Sequence, residues 1–246
     1  MSRFFAFGCS FTQNNSRPTW ADIIGREFEE YQNWGRPGAG NQYIFNQLIE
    51  CHARNKFTAN DTVYIMWTSV SREDRYVKDR WIGGGNIYNQ NIYPESWVKQ
   101  FACERGYLIR DLATISAARD LLRYWGVKYR FFAMIPVINP NESHEELPAD
   151  TNNQDVIALY QDVLSEINPS VYEVVFNSQN WNDKKSTFGA WVDDNIRDPH
   201  PDPTEALEYV EKIMPEIKLS QATIDYVNKF KLGDVVNSNK LKNGRL

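Results

Sequence analysis

FFAFGCSFT, residues 4–12, is the stretch on which the fold turns. Its first four residues are apolar without interruption and read as a strand buried on both faces. Gly8 then allows a sharp turn that presents Ser10 just beyond the strand's carboxyl end, where open α/β sheets carry their reactive groups. Trp20, Ile23, Ile24 and Phe28 follow at helical spacing behind Pro18, so residues 17–28 read as the first helix of a β-α unit.

The same alternation continues down the chain. A short strand over 31–34 leads into Gly35, Gly38 and Gly40, and residues 41–55 form a helix with Ile44, Leu48 and Cys51 on one face. TVYIMWT, 62–68, is a continuous β-branched and aromatic run suited to a central strand. A long helix is expected over 108–125, a strand over 129–135 (YRFFAMI), a helix over 155–167 and a weaker strand over 171–176. Such a chain predicts an α/β fold, a three-layer α/β/α sandwich around a doubly wound, mainly parallel sheet of about five strands.

One domain is expected over residues 1–218, with an insertion at 76–101 and a C-terminal helix and polar tail over 219–246. The insertion carries Trp81, Tyr88, Tyr93 and Trp97 around Gly83, Gly84 and Gly85. It reads as a long loop of the lid or binding-wall kind, or as an interface for a second copy.

With a net charge of −5, a pI near 5.3 and no run of lysine or arginine longer than a pair, the chain is a poor match for nucleic acid. No stretch of about 18 apolar residues is present, and the apolar run after Arg3 is too short for a secretory leader. A soluble protein made in a cytoplasm is the expectation. Cys9, Cys51 and Cys103 show no C-x-x-C spacing and only three histidines accompany them, so neither a disulfide framework nor a metal or other cofactor is expected. Cys9 should be buried behind Ser10, His52 and His144 should be structural or solvent-facing, and Asp193, Asp194, Asp198 and Asp202 read as a solvated acidic loop.

Near the other end stands DPHP, residues 198–201. Pro199 and Pro201 push Asp198 and His200 toward extended geometry, in which side chains two apart point the same way. Asp202, Pro203 and Glu205 read as an N-cap, a first-turn proline and the far half of a capping box, so a helix should begin directly after the histidine.

Four blocks thus occur in order: FGCSFT at 7–12, NWGRPGAGN at 33–41, MWTSVSR at 66–72 and DPHP at 198–201. Together they resemble the SGNH (GDSL-type) serine hydrolases, in particular the divergent branch common in bacteriophages and marine microbes. The resemblance implies an esterase in which Ser10 is the nucleophile, His200 the general base and later acid, and Asp198 the group that orients the imidazole. It further implies an oxyanion hole built from the N–H groups of Ser10 and Gly38, with Gly40 as the register alternative, and from a side chain of the third block.

Two departures from the family pattern follow. The family's G-x-N-D is replaced by Trp67, Thr68 and Ser69, so the third oxyanion donor is Ser69, Thr68, Arg72 or Asn41, or is missing, and turnover is expected to be slow. The common acid position three residues before the histidine holds Arg197, leaving Asp198 or a backbone carbonyl as the histidine's partner. Asn41, Thr68, Arg72, Trp67 and Trp81 are candidate substrate contacts. Arg72 is either a cation in the cleft, holding a substrate carboxylate or sugar hydroxyl, or half of a salt bridge with Glu73, Asp74 or another carboxylate.

The expected partner is a small acyl ester, an O-acetylated glycan foremost, with acyl transfer to a sugar hydroxyl as a related chemistry. The rival reading is a weak or inactive module of the same fold that binds glycans or serves as a structural piece of a virion or homo-oligomer.

Overall fold

The computed structural model describes residues 2–88, 93–138, 153–178 and 200–230. Its elements are β1 (Arg3–Phe7), α1 (Trp20–Gly25), β2 (Glu30–Asn33), α2 (Asn41–Asn55), β3 (Thr62–Trp67), β4 (Arg72–Val77), β5 (Arg80–Asn86), α3 (Glu95–Phe101), α4 (Glu104–Trp125), β6 (Lys128–Ala133), α5 (Gln154–Leu159), α6 (Gln161–Leu164), α7 (Val171–Val175), α8 (Pro203–Ile213) and α9 (Gln221–Asn228). β2, β1, β3 and β6 pair side by side in that order, all parallel.

Alternation along the strands divides the core into two halves. On one face Phe4, Tyr64 and Phe132 make edge and tilted contacts with one another or with Trp20 of α1 and Tyr209 of α8. On the other, Phe5 meets Phe57, which lies edge-on to Trp125 of α4, and Trp125 stacks on His52 of α2 at 3.8 Å. Helices α2 and α4 pack together, as do α1 and α8, which completes three layers. Every residue of β3 is buried, as an inner strand covered on both sides requires.

Three expectations are corrected. Residues 171–176 are not a fifth strand: Ser170 caps α7 and forms a capping box with Glu173, and this local signal overrides the β-favouring Val and Tyr side chains. The outer edge of β6 is met instead by a single bridge from Ile167 and by Asn168, whose backbone N–H and side-chain amide both donate to the Phe131 carbonyl. The helix expected over 155–167 is two short ones, broken at Tyr160.

The third correction is the insertion, which is no loop. Residues from Arg72 onward fold as an antiparallel hairpin, β4 and β5, whose two turn residues Lys78 and Asp79 both have positive φ, as type I′ turns require. The helix α3 follows it. The glycines of β5 serve close backbone approach: a Cβ on Gly83 would lie 3.0 Å from the Gly38 carbonyl oxygen. At the C-terminal end α9 packs on α8, with Ser220 bonded to Glu27.

Candidate active site

Ser10 stands where β1 ends. A Cβ on Gly8 would meet Thr12 Oγ1 at 2.0 Å and the Met66 carbonyl oxygen at 3.0 Å, so only glycine lets the chain turn this tightly. The Cys9 carbonyl then accepts from the N–H groups of both Thr12 and Gln13, closing one helical turn with Ser10 at its head. The Thr12 carbonyl is held by Thr19 Oγ1 and Asn33 Nδ2, each at 2.7 Å, which ties the serine turn to α1 and to the end of β2.

His200 arrives from a distance of 190 residues and places Nε2 2.6 Å from Ser10 Oγ. Phe11 packs on its ring, with centroids 4.9 Å apart. Behind it the predicted cap is in place: Asp202 accepts from Glu205 N–H at 2.8 Å, the Glu205 carboxylate accepts from Asp202 N–H at 2.7 Å, and Pro203 opens α8. Asp198, like His144, Asp193 and Asp194, lies outside the described residues. A small hollow of about 10 Å³ beside the pair is lined by Phe11, Arg17, Trp20, Val171 and Tyr209. Nothing in the sequence singled out Arg17, because its burial depends on how α1 and the serine turn pack.

The second block wraps the other side. Gly38 has φ +75, its carbonyl accepts from Gly85 N–H, and a Cβ there would lie 2.9 Å from the Gly83 carbonyl oxygen. The Gly40 N–H is committed to Asp74 Oδ1 at 2.9 Å, whereas the N–H groups of Ser10 and Gly38 make no hydrogen bond among the described residues. The register alternative therefore has no free donor. Arg36 Nη2 also donates to the Trp81 carbonyl, so the hairpin grips this loop at three points.

The third block is mostly occupied with its own support. Asn41 is fully buried: its Oδ1 accepts from Thr68 N–H at 2.9 Å, and its Nδ2 donates to the Thr68 carbonyl and to Asp111 Oδ2. Both amide hydrogens are thus spent, and Asn41 has none for an oxyanion. Thr68, also fully buried, directs its hydroxyl to Met134 Sδ at 3.3 Å. Trp67 lies in the core, edge-on to Phe131, with its indole N–H unpartnered among the described residues. None of the three reaches a surface a substrate could meet. Ser69 keeps a hydroxyl without a hydrogen bond among the described residues. Trp81 is half-buried on the hairpin, perpendicular to Tyr43.

Arg72 forms neither expected salt bridge. Glu73 pairs with Arg75 and Arg110, and Asp74 accepts from the N–H groups of Gly40 and Tyr43 at the head of α2. Burial raises the Asp74 carboxyl above its usual range, opposed by those two bonds and by the charges of Arg72 and Arg110. Asp111 is likewise pushed up, to about 6, by burial against the bonds from Arg110 and Asn41. Cys9 is fully buried with its Sγ 3.5 Å from Met134 Sδ. His52 accepts from Phe57 N–H while stacked on Trp125, and burial lowers its pKa. No cluster of metal-binding side chains occurs among the described residues, and no described helix is long and apolar enough to cross a membrane.

A serine and an imidazole are thus in hydrogen-bond contact at the carboxyl end of a parallel sheet in an α/β/α scaffold, an arrangement chemically able to act as a nucleophile and its base. No protein-family model matches the chain, and no curated protein matches it in sequence. Among solved structures, a member of the lipolytic protein G-D-S-L family from Veillonella parvula is similar to it over 88% of this chain and 100% of that one, with 12% identity and a TM-score of 0.45.

Proposed function

We propose that the protein is a serine ester hydrolase of the SGNH type acting on small acyl esters, with O-acetyl groups on carbohydrate as the favoured substrate class. The observation that carries the reading is the 2.6 Å contact between Ser10 Oγ and His200 Nε2. Ser10 Oγ attacks the ester carbonyl carbon while its proton passes to Nε2, and the carbonyl π electrons move onto oxygen. The N–H groups of Ser10 and Gly38 receive that oxyanion, with Ser69 the third-block hydroxyl available to join them. Collapse expels the alcohol, which takes the proton back from His200, and water repeats the sequence on the acyl-enzyme. Asp198 is assigned to orient the imidazole.

Loss of one oxyanion donor typically costs about 2.7–4 kcal/mol, or a factor of 100 to 1,000 in rate. With Thr68 and Asn41 spent on each other, slow turnover is expected. The same shortage favours the second reading, a catalytically weak module that binds glycans or is built into a virion or other assembly.

Hydrolysis of p-nitrophenyl esters from acetate to octanoate, by wild type and Ser10→Ala in parallel, tests the assignment. Activity that vanishes in the variant is the expected result, and the chain-length profile sizes the acyl pocket. Equal silence of both proteins on these esters and on O-acetylated glycans would transfer the assignment to the binding module. Asp198→Ala losing less than about tenfold would leave a Ser-His dyad rather than a triad.

A further inference from the structure

We propose that the guanidinium of Arg72 supplies, as a buried charge, the oxyanion stabilisation that the third block does not provide through an asparagine; the inference rests on the esterase reading above. Arg72 is 6% exposed. Its Nη1 donates to the Ala39 carbonyl at 2.8 Å, its Nη2 lies 3.6 Å from Met134 Sδ, and its buried Nε has no partner among the described residues. No carboxylate lies within salt-bridge distance of it among those residues. Asp74 acts on it through space, but its oxygens are turned to the head of α2. Arg110 approaches only the Arg72 carbonyl, and its own charge is taken by Glu73 and Asp111.

A guanidinium sealed from water against a carbonyl and a thioether is strongly destabilising to the fold, because neither acceptor neutralises the charge. Its position gives that charge a use. Met134 Sδ, which Arg72 touches, is also 3.5 Å from Cys9 Sγ, so one sulfur separates the cation from the residue before the nucleophile. Ala39, whose carbonyl it bonds, is the residue after Gly38. The cation therefore lies beneath the junction of the two blocks whose N–H groups face the reaction.

When Ser10 Oγ bonds to the carbonyl carbon and His200 takes the proton, a full negative charge appears on the former carbonyl oxygen, and the guanidinium acts on it through space. At a separation on the order of 10 Å and an effective dielectric of about 20, one buried charge changes the rate about tenfold.

The test compares kcat, KM and urea unfolding for wild type, Ser10→Ala, Arg72→Lys and Arg72→Gln on p-nitrophenyl acetate. Charge stabilisation of the oxyanion predicts that Arg72→Lys retains most of kcat, whereas Arg72→Gln loses about tenfold in kcat at unchanged KM and unfolds at no lower urea concentration than the lysine variant. Wild-type kcat in Arg72→Gln, or an equal fall in both variants, would overturn the proposal while a dead Ser10→Ala left the esterase reading intact. Equal rates for wild type and Ser10→Ala would remove the esterase reading and this role with it. If Arg72→Gln does not fold, Arg72→Met takes its place as the neutral variant, since an apolar chain in place of an unpaired buried charge should be at least as stable. Failure of both neutral variants to fold would make Arg72 structural and overturn the proposal.

Discussion

Replacing Asn41 by alanine removes one amide and strands three buried groups. Thr68 N–H loses its acceptor, the Thr68 carbonyl loses its donor, and Asp111 Oδ2 loses one of the carboxylate's neutral partners. Each buried polar group left unpaired costs about 1–3 kcal/mol. Water entering the vacated space relieves part of this, so the expected loss is about 3–5 kcal/mol, against a total of about 5–15 kcal/mol for an ordinary domain. For a chain of this size that corresponds to a fall of roughly 10–15 °C in Tm. Urea titration followed by tryptophan fluorescence measures the loss, and ester hydrolysis scaled to the folded fraction measures the site. As a clip, Asn41 should matter much more for stability than for activity per folded molecule; as an oxyanion donor it would reverse that order, with a 100- to 1,000-fold drop in rate. Asn41→Asp sharpens the test, because it sets a second carboxylate against Asp111, which already titrates near about 6. A carboxyl whose folded pKa is raised is at ease while protonated, so stability should fall as pH rises from about 4, the ordinary carboxyl range, through about 6, and be restored fully only near pH 4. An alanine variant within 1 kcal/mol of wild type, about the size of a single ordinary hydrogen bond, would refute the reasoning.

Gly38→Ala combines a positive φ with a Cβ 2.9 Å from the Gly83 carbonyl oxygen, so the loop or the hairpin must shift. A loss of at least about 100-fold in kcat with a stability cost of about 1–3 kcal/mol is expected, read from ester hydrolysis and urea unfolding of the same preparation. Asp202→Ala removes the N-cap that pins the loop carrying His200. It should cost about 1 kcal/mol, or roughly 2–4 °C in Tm, and should lower kcat several-fold while leaving KM in place; calorimetry and steady-state kinetics check both.

The inner strands β1 and β3 are legible because burial on both faces leaves an almost unbroken apolar run, as at Phe4 to Phe7 and Val63 to Trp67. The helix after His200 was legible for a different reason, since its cap is written in three neighbouring residues. The same kind of signal at Ser170 and Glu173 competes with a β-branched run that reads as a strand, and in the fold the cap prevails. The hairpin is hidden in the sequence because its glycines resemble breakers, whereas Gly83 and Gly38 bring two backbones together. At the site, Ser10 and His200 follow from block order, and their contact is local in space though not in sequence. The commitments of Asn41, and the lack of a carboxylate at Arg72 among the described residues, are not legible, because each depends on partners brought from two distant parts of the chain.

The separation of 190 positions between Ser10 and His200 also bears on how the protein comes into being. β1, the serine turn and β6 all precede α8 in the chain, so every strand of the parallel sheet leaves the ribosome before α8 exists. Closing so long a stretch of chain is an unfavourable and late step, so the imidazole should reach the hydroxyl only when α8 docks on α1. The onset of hydrolysis during refolding would then be a clock for the final assembly event, running behind any spectroscopic signal from the sheet.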